Sequence, residues 1–352
     1  MDRRSTFKPI LHIFFLLGYF IITAGPIASQ HLYRIVEKGK VGFVDRRGKV
    51  IVRPRYPSAG DFKNGFVAVH SDGEKSTFLN GRGKPITKTS FSFTWGFTEG
   101  LAAVEIDEKW GYMNVQGELV IDPVFIDAGT FSGGLAPVAV RVGDETKFGY
   151  IDLKGNFAIK PQFVYATEFV DGVAAVVLKG RFSPWEANMR LVDGNYGFIN
   201  TEGKVIIEPF ENDYCGSGDG LICVSVTING VREFKFIDHF SKSLETARFA
   251  EAKWFSNGLA AVKDYSEKWG FIDTSGRLVI GHQFSDAQPF SDGLAPVEVN
   301  DKWGYIDKAG TMIIQPQYDY AYGFVNGLAQ VLIDDDHFGL IDEKGTYIWK
   351  PK

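Results

Sequence analysis

KWGYIDKAGTMIIQPQYDYAYGFVNGLAQV, from Lys302 to Val331, decides the fold of this chain, because it is one copy of a pattern that recurs along the whole length. A second clear copy, KWGYMNVQGELVIDPVFIDAGTFSGGLAPV, runs from Lys109 to Val138. A fixed period of roughly thirty-five residues marks an array of small stacked units. Stacked units share one continuous core, so the 352 residues need not divide into two or three globular domains.

Aligned on the Gly of the WG dipeptide, nine registers appear: Gly42, Thr77, Gly111, Gly149, Gly197, Lys235, Gly270, Gly304 and Gly339. Three places later stands Asp45, Asn80, Asn114, Asp152, Asn200, Asp238, Asp273, Asp307 or Asp342. Three further on the residue is Gly in every copy but one, where Ser241 replaces it. Asp/Asn-x-x-Gly between two apolar runs reads as a type I turn closing a hairpin. The Asx side chain holds the turn backbone, and Gly takes the positive-φ position that follows. The repeated Asx residues are therefore read as turn chemistry and not as catalytic acids.

Gly-Leu-Ala-x-Val or a relative lies before each WG and Val-Ile-x-Pro or a relative after the turns, copy six excepted, so the unit reads as a three-stranded meander. Its strands in one copy are Leu294 to Val299, Lys302 to Asp307 and Met312 to Gln315. Nine complete units fit between a first strand at Leu32 to Val36 and a last strand at Thr346 to Lys350. Trp303 and Tyr305 point one way, and Gly304 and Ile306 the other; Leu294 and Pro296 likewise oppose Ala295 and Val297. Both faces are apolar, so neighbouring units must cover both. Gly304 is expected to leave room for a neighbouring aromatic, which makes Gly304→Val an overpacking change. Between meanders runs Pro-x-Tyr/Phe-x-x-Ala-x-x-Phe-x-x-Gly, as in Pro161, Phe163, Ala166, Phe169 and Gly172. Apolar residues at i, i+3 and i+6 predict about one turn of helix there, with the Pro ending the strand before it.

KWGYID, VIxP, AxxF and GLAPV together resemble the WG (KWG) repeat family of bacterial proteins, over essentially all of residues 31 to 352. Copies two and six depart most: Ser76-Thr77 and Phe234-Lys235 stand in place of WG. The resemblance implies an all-β tandem array of extracytoplasmic or surface-associated type. It transfers no catalytic motif.

The first residues follow a different pattern. Arg3, Arg4 and Lys8 precede an apolar run from Ile10 to Ile22, followed by Thr23, Ala24, Gly25, Pro26, Ala28 and Ser29. This is the layout of a secretory signal peptide over residues 1–28, with cleavage expected from Ala28 to Gln30. The thirteen-residue run is short of the about 20 residues that a membrane span needs. No transmembrane span is expected in the mature chain, a single array over residues 29–352. Losing residues 1–28 takes three of the 38 basic and one of the 43 acidic residues, leaving a net charge of −7. That balance argues against nucleic acid as a partner, which requires clustered Lys and Arg. Cys215 and Cys223 are a candidate disulfide across a short loop, with two buried thiols as the alternative.

No catalytic motif emerges. His31, His70, His239, His282 and His337 are scattered, without zinc spacing, and no GxSxG, HExxH, P-loop or CxxC occurs. CGSGDG (Cys215 to Gly220) lacks the strand–loop–helix context of a phosphate cradle. Asp334 to Asp336 with His337 reads as a solvated hairpin tip, not a calcium loop. Neither cofactor nor metal is expected. Trp110, Trp269, Trp303, Phe148 and Phe338 share one repeated position and read as core. Trp95, Trp185 and Trp254 lie outside it and are candidate contacts, together with Met189.

Tips joining first and second strands carry Asp107, Glu108, Asp144, Glu145, Asp264, Glu267, Asp301 and Asp334 to Asp336. Tips joining second and third strands carry Arg46, Arg47, Lys49, Arg82, Lys84, Lys154, Lys204, Lys242, Arg277, Lys308 and Lys344. Stacking gathers these into an acidic rim and a basic rim. Gly149 to Gly197 spans 48 residues against 34 to 38 in typical neighbours. The surplus is an insertion at 178–195 in unit five, containing Phe182, Trp185, Met189 and Leu191, and is expected to contact a partner.

The expected function is a non-enzymatic extracytoplasmic scaffold that binds protein, or else a module binding cell-envelope glycan through loop tryptophans. Closed propellers often complete one blade with strands from both termini, whereas this chain begins and ends on whole units. The expected architecture is thus an open β-solenoid arc of nine three-stranded meanders, with a propeller-like toroid as the alternative.

Overall fold

A computed structural model describes residues 31–71, 75–182, 191–210, 213–239, 244, 248–334 and 337–351. Residues 1–28, expected as a signal peptide, lie outside them, as do Trp185 and Met189. The described residues form strands, turns and loops without a helix, arranged in nine small antiparallel sheets. None forms a helix long and apolar enough to cross a membrane. The sheets are the blades of a nine-bladed β-propeller.

Unit four shows the blade. A lead-in strand, Asp127–Ala128, pairs with a first strand, Leu135–Val142; the second, Glu145–Asp152, and the third, Phe157–Phe163, follow outward in sequence order. Six blades have these four strands, one more than the three-stranded meander expected. Unit one has three: Tyr33–Glu37, Lys40–Val44 and Val50–Tyr56. Units two and six, the copies that depart most in sequence, have a lead-in, first and second strand. Isolated bridges such as Ser76↔Phe91 and Phe234↔Phe249 stand where their third strand would lie.

Eight of the nine predicted hairpin turns form; the one that follows Asp238 in unit six lies outside the described residues. In unit one Asp45 Oδ1 accepts the N–H groups of Arg47 and Lys49, both at 2.9 Å. Gly48 follows with φ +79°, a conformation costly for residues with a Cβ. The same bonds recur at Asn80, Asn114, Asp152, Asn200, Asp273, Asp307 and Asp342.

The lead-in segment is not helical. In unit five Val164, Thr167 and Val170 donate their N–H groups to the carbonyls of Val177, Ala175 and Val173, at 2.7, 3.0 and 2.8 Å. Every third donor meets every second acceptor, so an extended chain reproduces the three-residue apolar period that suggests a helical turn. Phe163, Ala166 and Phe169 all enter one core cluster. The same triple ladder recurs in units three, four, seven, eight and nine.

Nor does the Pro end the third strand. Pro161 sits inside Phe157–Phe163, where the register shifts between Tyr150↔Ile159 and Phe148↔Phe163. This is a bulge, a place where a missing N–H breaks no ladder bond. The bulge also gives the WG glycine its reason. A Cβ on Gly304 would lie 2.4 Å from the Ile314 carbonyl oxygen and 2.8 Å from the Pro316 nitrogen. Gly304→Val is therefore an overpacking change, but against the backbone of its own blade and not against a neighbouring aromatic.

Burial is divided among nine apolar clusters, one at each interface between successive units. Leu294, Trp303 and Tyr305 face unit nine, while Ala295, Val297 and Ile306 face unit seven. The alternation predicted for a doubly covered sheet is thus present residue by residue. The ninth cluster overturns the open arc. Tyr33, Ile35 and Val44 of unit one pack on Leu328 and Leu340 of unit nine. Tyr33 Oη donates to the Asn326 carbonyl at 3.0 Å, and Gln330 Nε2 to the Arg34 carbonyl at 3.2 Å. The two sheets share no strand. The apolar faces of units one and nine close the ring by stacking, with no exchanged strand among the described residues.

Candidate functional site

Antiparallel pairing puts the two families of hairpin tips at opposite ends of every blade. At one end are the tips between first and second strands, some of them two-residue turns with positive φ, such as Asp107-Glu108 and Asn300-Asp301. The lead-in strands pair toward this end, since Tyr320 meets Leu332 past the middle of the first strand of unit nine, Leu328–Asp334. The WG aromatics are there too, with Trp303 opposite Glu298 beside the tip.

Each of several WG aromatics is covered by the lead-in of the next unit, which builds aromatic ladders across blades. Trp303, Tyr320, Tyr322 and Phe338 form one, with successive ring centroids 4.9, 4.9 and 6.4 Å apart. Phe148, Tyr165, Tyr196 and Tyr214 form another, at 5.6, 6.5 and 6.1 Å. Trp95 lies parallel to Trp110 at 6.4 Å, with Phe93 edge-on at 5.2 Å. In unit seven a cation does the covering: Lys253 Nζ sits 4.8 Å from the Trp269 ring and 2.6 Å from the Ala287 carbonyl oxygen.

The charge at this end is crowded. Burial raises the Glu105 carboxyl above its usual range, and repulsion from Glu108 and Asp127 adds to it. Asp127 is raised chiefly by burial, against a bond from the Ala128 N–H, and Glu168 adds to the rise. Glu298 is raised by burial and by repulsion from Asp286 and Asp301. At the other end Asp152 and Asp273 are held below the usual range, by the Asn156 N–H and the Ser275 hydroxyl foremost. Those are the turn aspartates, and their bonds account for them without catalysis.

At that second end runs a feature that sequence reasoning missed. In several units the turn residue before the Gly of the GLA-type strand accepts from the corresponding Gly N–H of the next unit. Glu99 bonds Gly134 at 2.9 Å, Asp171 bonds Gly220 at 2.9 Å, Asp219 bonds Gly258 at 2.7 Å and Asp292 bonds Gly327 at 2.9 Å. Asn326 Nδ2 then meets His31 Nδ1 at 3.0 Å, carrying the lacing across the closure. The signal was present as repeated Asx-Gly dipeptides, which favour two-residue turns with positive φ. CGSGDG belongs to this lacing: Asp219 is one of its links.

The two predicted contact residues that are described, Trp95 and Trp254, are not gathered. Trp254 is 45% exposed in the lead-in of unit seven, against Gly216. Trp95 is half-buried four units away, stacked and not free-standing. The described part of the unit-five insertion lengthens its hairpin to Val173–Phe182 and Leu191–Asn200. Trp110, Trp269, Trp303 and Phe148 are core, as read from sequence, while Phe338 is half-exposed. Cys215 sits at a bulge beside Cys223, and the two are thiols. A hydrogen bond donated by the Cys223 S–H to Cys215, burial and charge repulsion push the Cys223 thiol well above its ordinary pKa. His337 Nδ1 and Asp334 Oδ1 lie 2.5 Å apart, so these two residues of the tip are paired with each other. The described residues hold no group of three or more metal-ligating side chains.

A ring of blades with an acidic, aromatic end and a laced opposite end defines a repeat-propeller scaffold. A family model described as "WG containing repeat" matches residues 42–73, 77–110, 110–141, 148–182, 196–217, 269–303 and 303–335. The chain belongs to the WG-containing repeat family. No curated protein matches it in sequence. Among solved structures, "Crystal structure of the eukaryotic initiation factor" aligns with TM-score 0.59 at 11% identity, covering 91% of this chain and 95% of that one. BamB from Moraxella catarrhalis aligns at 0.43 and 10% identity, covering 82% and 91%. Saccharomyces cerevisiae Sqt1 aligns at 0.44 and 9%, covering 92% and 100%. The first similarity is one of fold.

Proposed function

We propose that this chain is a non-enzymatic scaffold acting beyond the cytoplasmic membrane, which binds protein through the acidic, aromatic end of its ring. The observation that carries this reading is the coincidence at one end of exposed ladder aromatics with crowded carboxylates, of which Glu105, Asp127 and Glu298 are raised first by burial and then by repulsion from acidic neighbours. A partner that brings cations and apolar side chains relieves that repulsion and covers those rings. Catalysis is disfavoured because, among the described residues, no unit brings together a nucleophile, a base and an orienting group. The location rests on the N-terminal pattern of basic, apolar and small residues. In an oxidising compartment the adjacent thiols of Cys215 and Cys223 would pair, at the low end of disulfide stabilisation.

A second reading, binding of cell-envelope glycan, draws on exposed Trp254 and on the Trp95–Trp110 stack, since flat aromatic faces suit sugar rings. Pull-down from envelope extract, run beside purified peptidoglycan and glycan arrays, separates the two. Capture of a protein, lost when Tyr322→Ala and Trp254→Ala are combined, supports the first reading. Capture of glycan alone replaces it with the second.

A further inference from the structure

Eight of the nine units begin with a lead-in segment laid against the first strand; the described part of unit one begins at His31. Pairing of Ile35 with Gly42 and of Val331 with Gly339 puts the two first strands in register. Leu32, Arg34 and Val36 thus correspond to Leu328, Gln330 and Leu332. In unit nine those three carbonyls accept from Val325, Tyr322 and Asp319. Beside the corresponding edge of Tyr33–Glu37 lies a groove of about 470 Å³. It is flanked by the lead-ins of both neighbours, Tyr322 and Val325 on one side and Asp61 and Phe62 on the other.

From this we infer that the groove is a docking site for an extended segment of a partner protein, which adds the lead-in strand to unit one. The inference rests on the protein-binding reading above and names the site and form of the ligand. The occupant's chemistry is set by the internal copies: backbone N–H groups at three-residue spacing, aimed at the carbonyls of Leu32, Arg34 and Val36. Apolar side chains would meet Leu328, Phe338 and Leu340 in the lining. Arg34 also lines the groove, and its buried Nε has no hydrogen-bond partner. A carboxylate on the incoming segment satisfies it.

In sequence alignment Pro26 and Ala28 stand at the positions of Tyr322 and Phe324, and a Pro has no N–H to donate. Gln330 Nε2 meanwhile covers the Arg34 carbonyl at 3.2 Å and must swing aside for a strand to pair.

The test uses the full chain and a labelled peptide copying residues 317–327, the lead-in of unit nine, with binding read by fluorescence anisotropy. Saturable micromolar binding is expected. Val325→Trp, which fills the groove from an exposed position, should abolish it. Gln330→Ala should tighten it several-fold, and Arg34→Met should weaken it about tenfold. Absence of saturable binding, or binding indifferent to Val325→Trp, overturns the inference. So does binding that appears only after the folded chain is cleaved at an engineered protease site before His31, because the groove then belongs to the chain's own N-terminal residues. An envelope partner whose capture ignores Val325→Trp removes this inference and leaves the protein-binding scaffold standing.

Discussion

The interface between units eight and nine and the one between units nine and one solve the same packing problem with different residues. In the first, Tyr305 stacks edge-on to Phe324 at 4.8 Å, and its hydroxyl donates to the Tyr322 carbonyl at 2.8 Å. Small Ala329 leaves space for that pair. In the second, Leu340 stands in the place of Tyr305 and Tyr33 in the place of Ala329. Large and small side chains have changed sides. The closing interface is sealed by a residue of the first strand, where the others are sealed by a lead-in. Face-to-face stacking is therefore sufficient to close the ring, and the closure differs from its neighbours in how well it is filled.

The largest effect expected within this comparison comes from the Gly that seven of the nine blades share. Gly304→Val drives a side chain into the bulged backbone of the third strand and should cost at least about 3 kcal/mol, read from the denaturation midpoint. Tolerance of this change would mean that the bulge at Pro316 yields.

Next are the aromatics that seal each interface. Phe324→Ala should cost about 3 to 5 kcal/mol, as a buried aromatic truncation. Tyr33→Ala should cost less, because Leu340 and the groove leave that side chain less completely enclosed. Hydrogen exchange should show the Tyr33→Ala loss confined to units one and nine. Equal costs would erase the distinction between the two interfaces.

Asp292→Ala removes one link of the lacing and should cost about 1 kcal/mol. Asn326→Ala, at the closure, should cost no more, since its partner is a half-buried His31 whose pKa is lowered by burial.

The smallest effect expected is in pH dependence. Glu105, Asp127 and Glu298 have carboxyls raised in the folded state, so they bind protons more tightly there and stability rises as pH falls from neutral through their raised range. Asp152, Asp264 and Asp273 are lowered, so their contribution holds above the ordinary carboxylate range and is lost as pH falls through their depressed values. Melting temperature should therefore pass through a shallow maximum on the mildly acid side of neutral. A monotonic fall from neutral would show that the crowding at the acidic end is screened away.

The sequence made the blade legible wherever a side chain answers to local chemistry. Asp307 followed by Gly310 specifies a turn whatever surrounds it, and Trp303 alternating with Ile306 declares two buried faces. It was less legible where the cause is a neighbour in space. The three-residue rhythm of Phe163, Ala166 and Phe169 fits a helical turn as well as the observed ladder, and only the first strand beside it decides between them. Pro161 looked like a strand terminator because the bulge that accommodates it depends on the partner strand. Closure was hidden because Tyr33 and Leu340 are separated by almost the whole chain. Among contact residues, Trp254 was legible as an exposed ring, while Trp95 stacks on a partner, Trp110, that its local sequence does not announce.

A ring built from nine self-contained blades counts its own units. In an open array a copy can be gained or lost at an end, and the remainder simply grows or shortens. Here each blade takes up one-ninth of a full turn, so an added copy has no angle to occupy and a missing one leaves two apolar faces apart. Every insertion or deletion that the chain accepts must then fall inside a unit, as in the long hairpin of unit five, or be accompanied by a change in tilt at every other interface. Sequence change in such a molecule is directed to its rims, while the number of blades stays fixed by the circle that they complete.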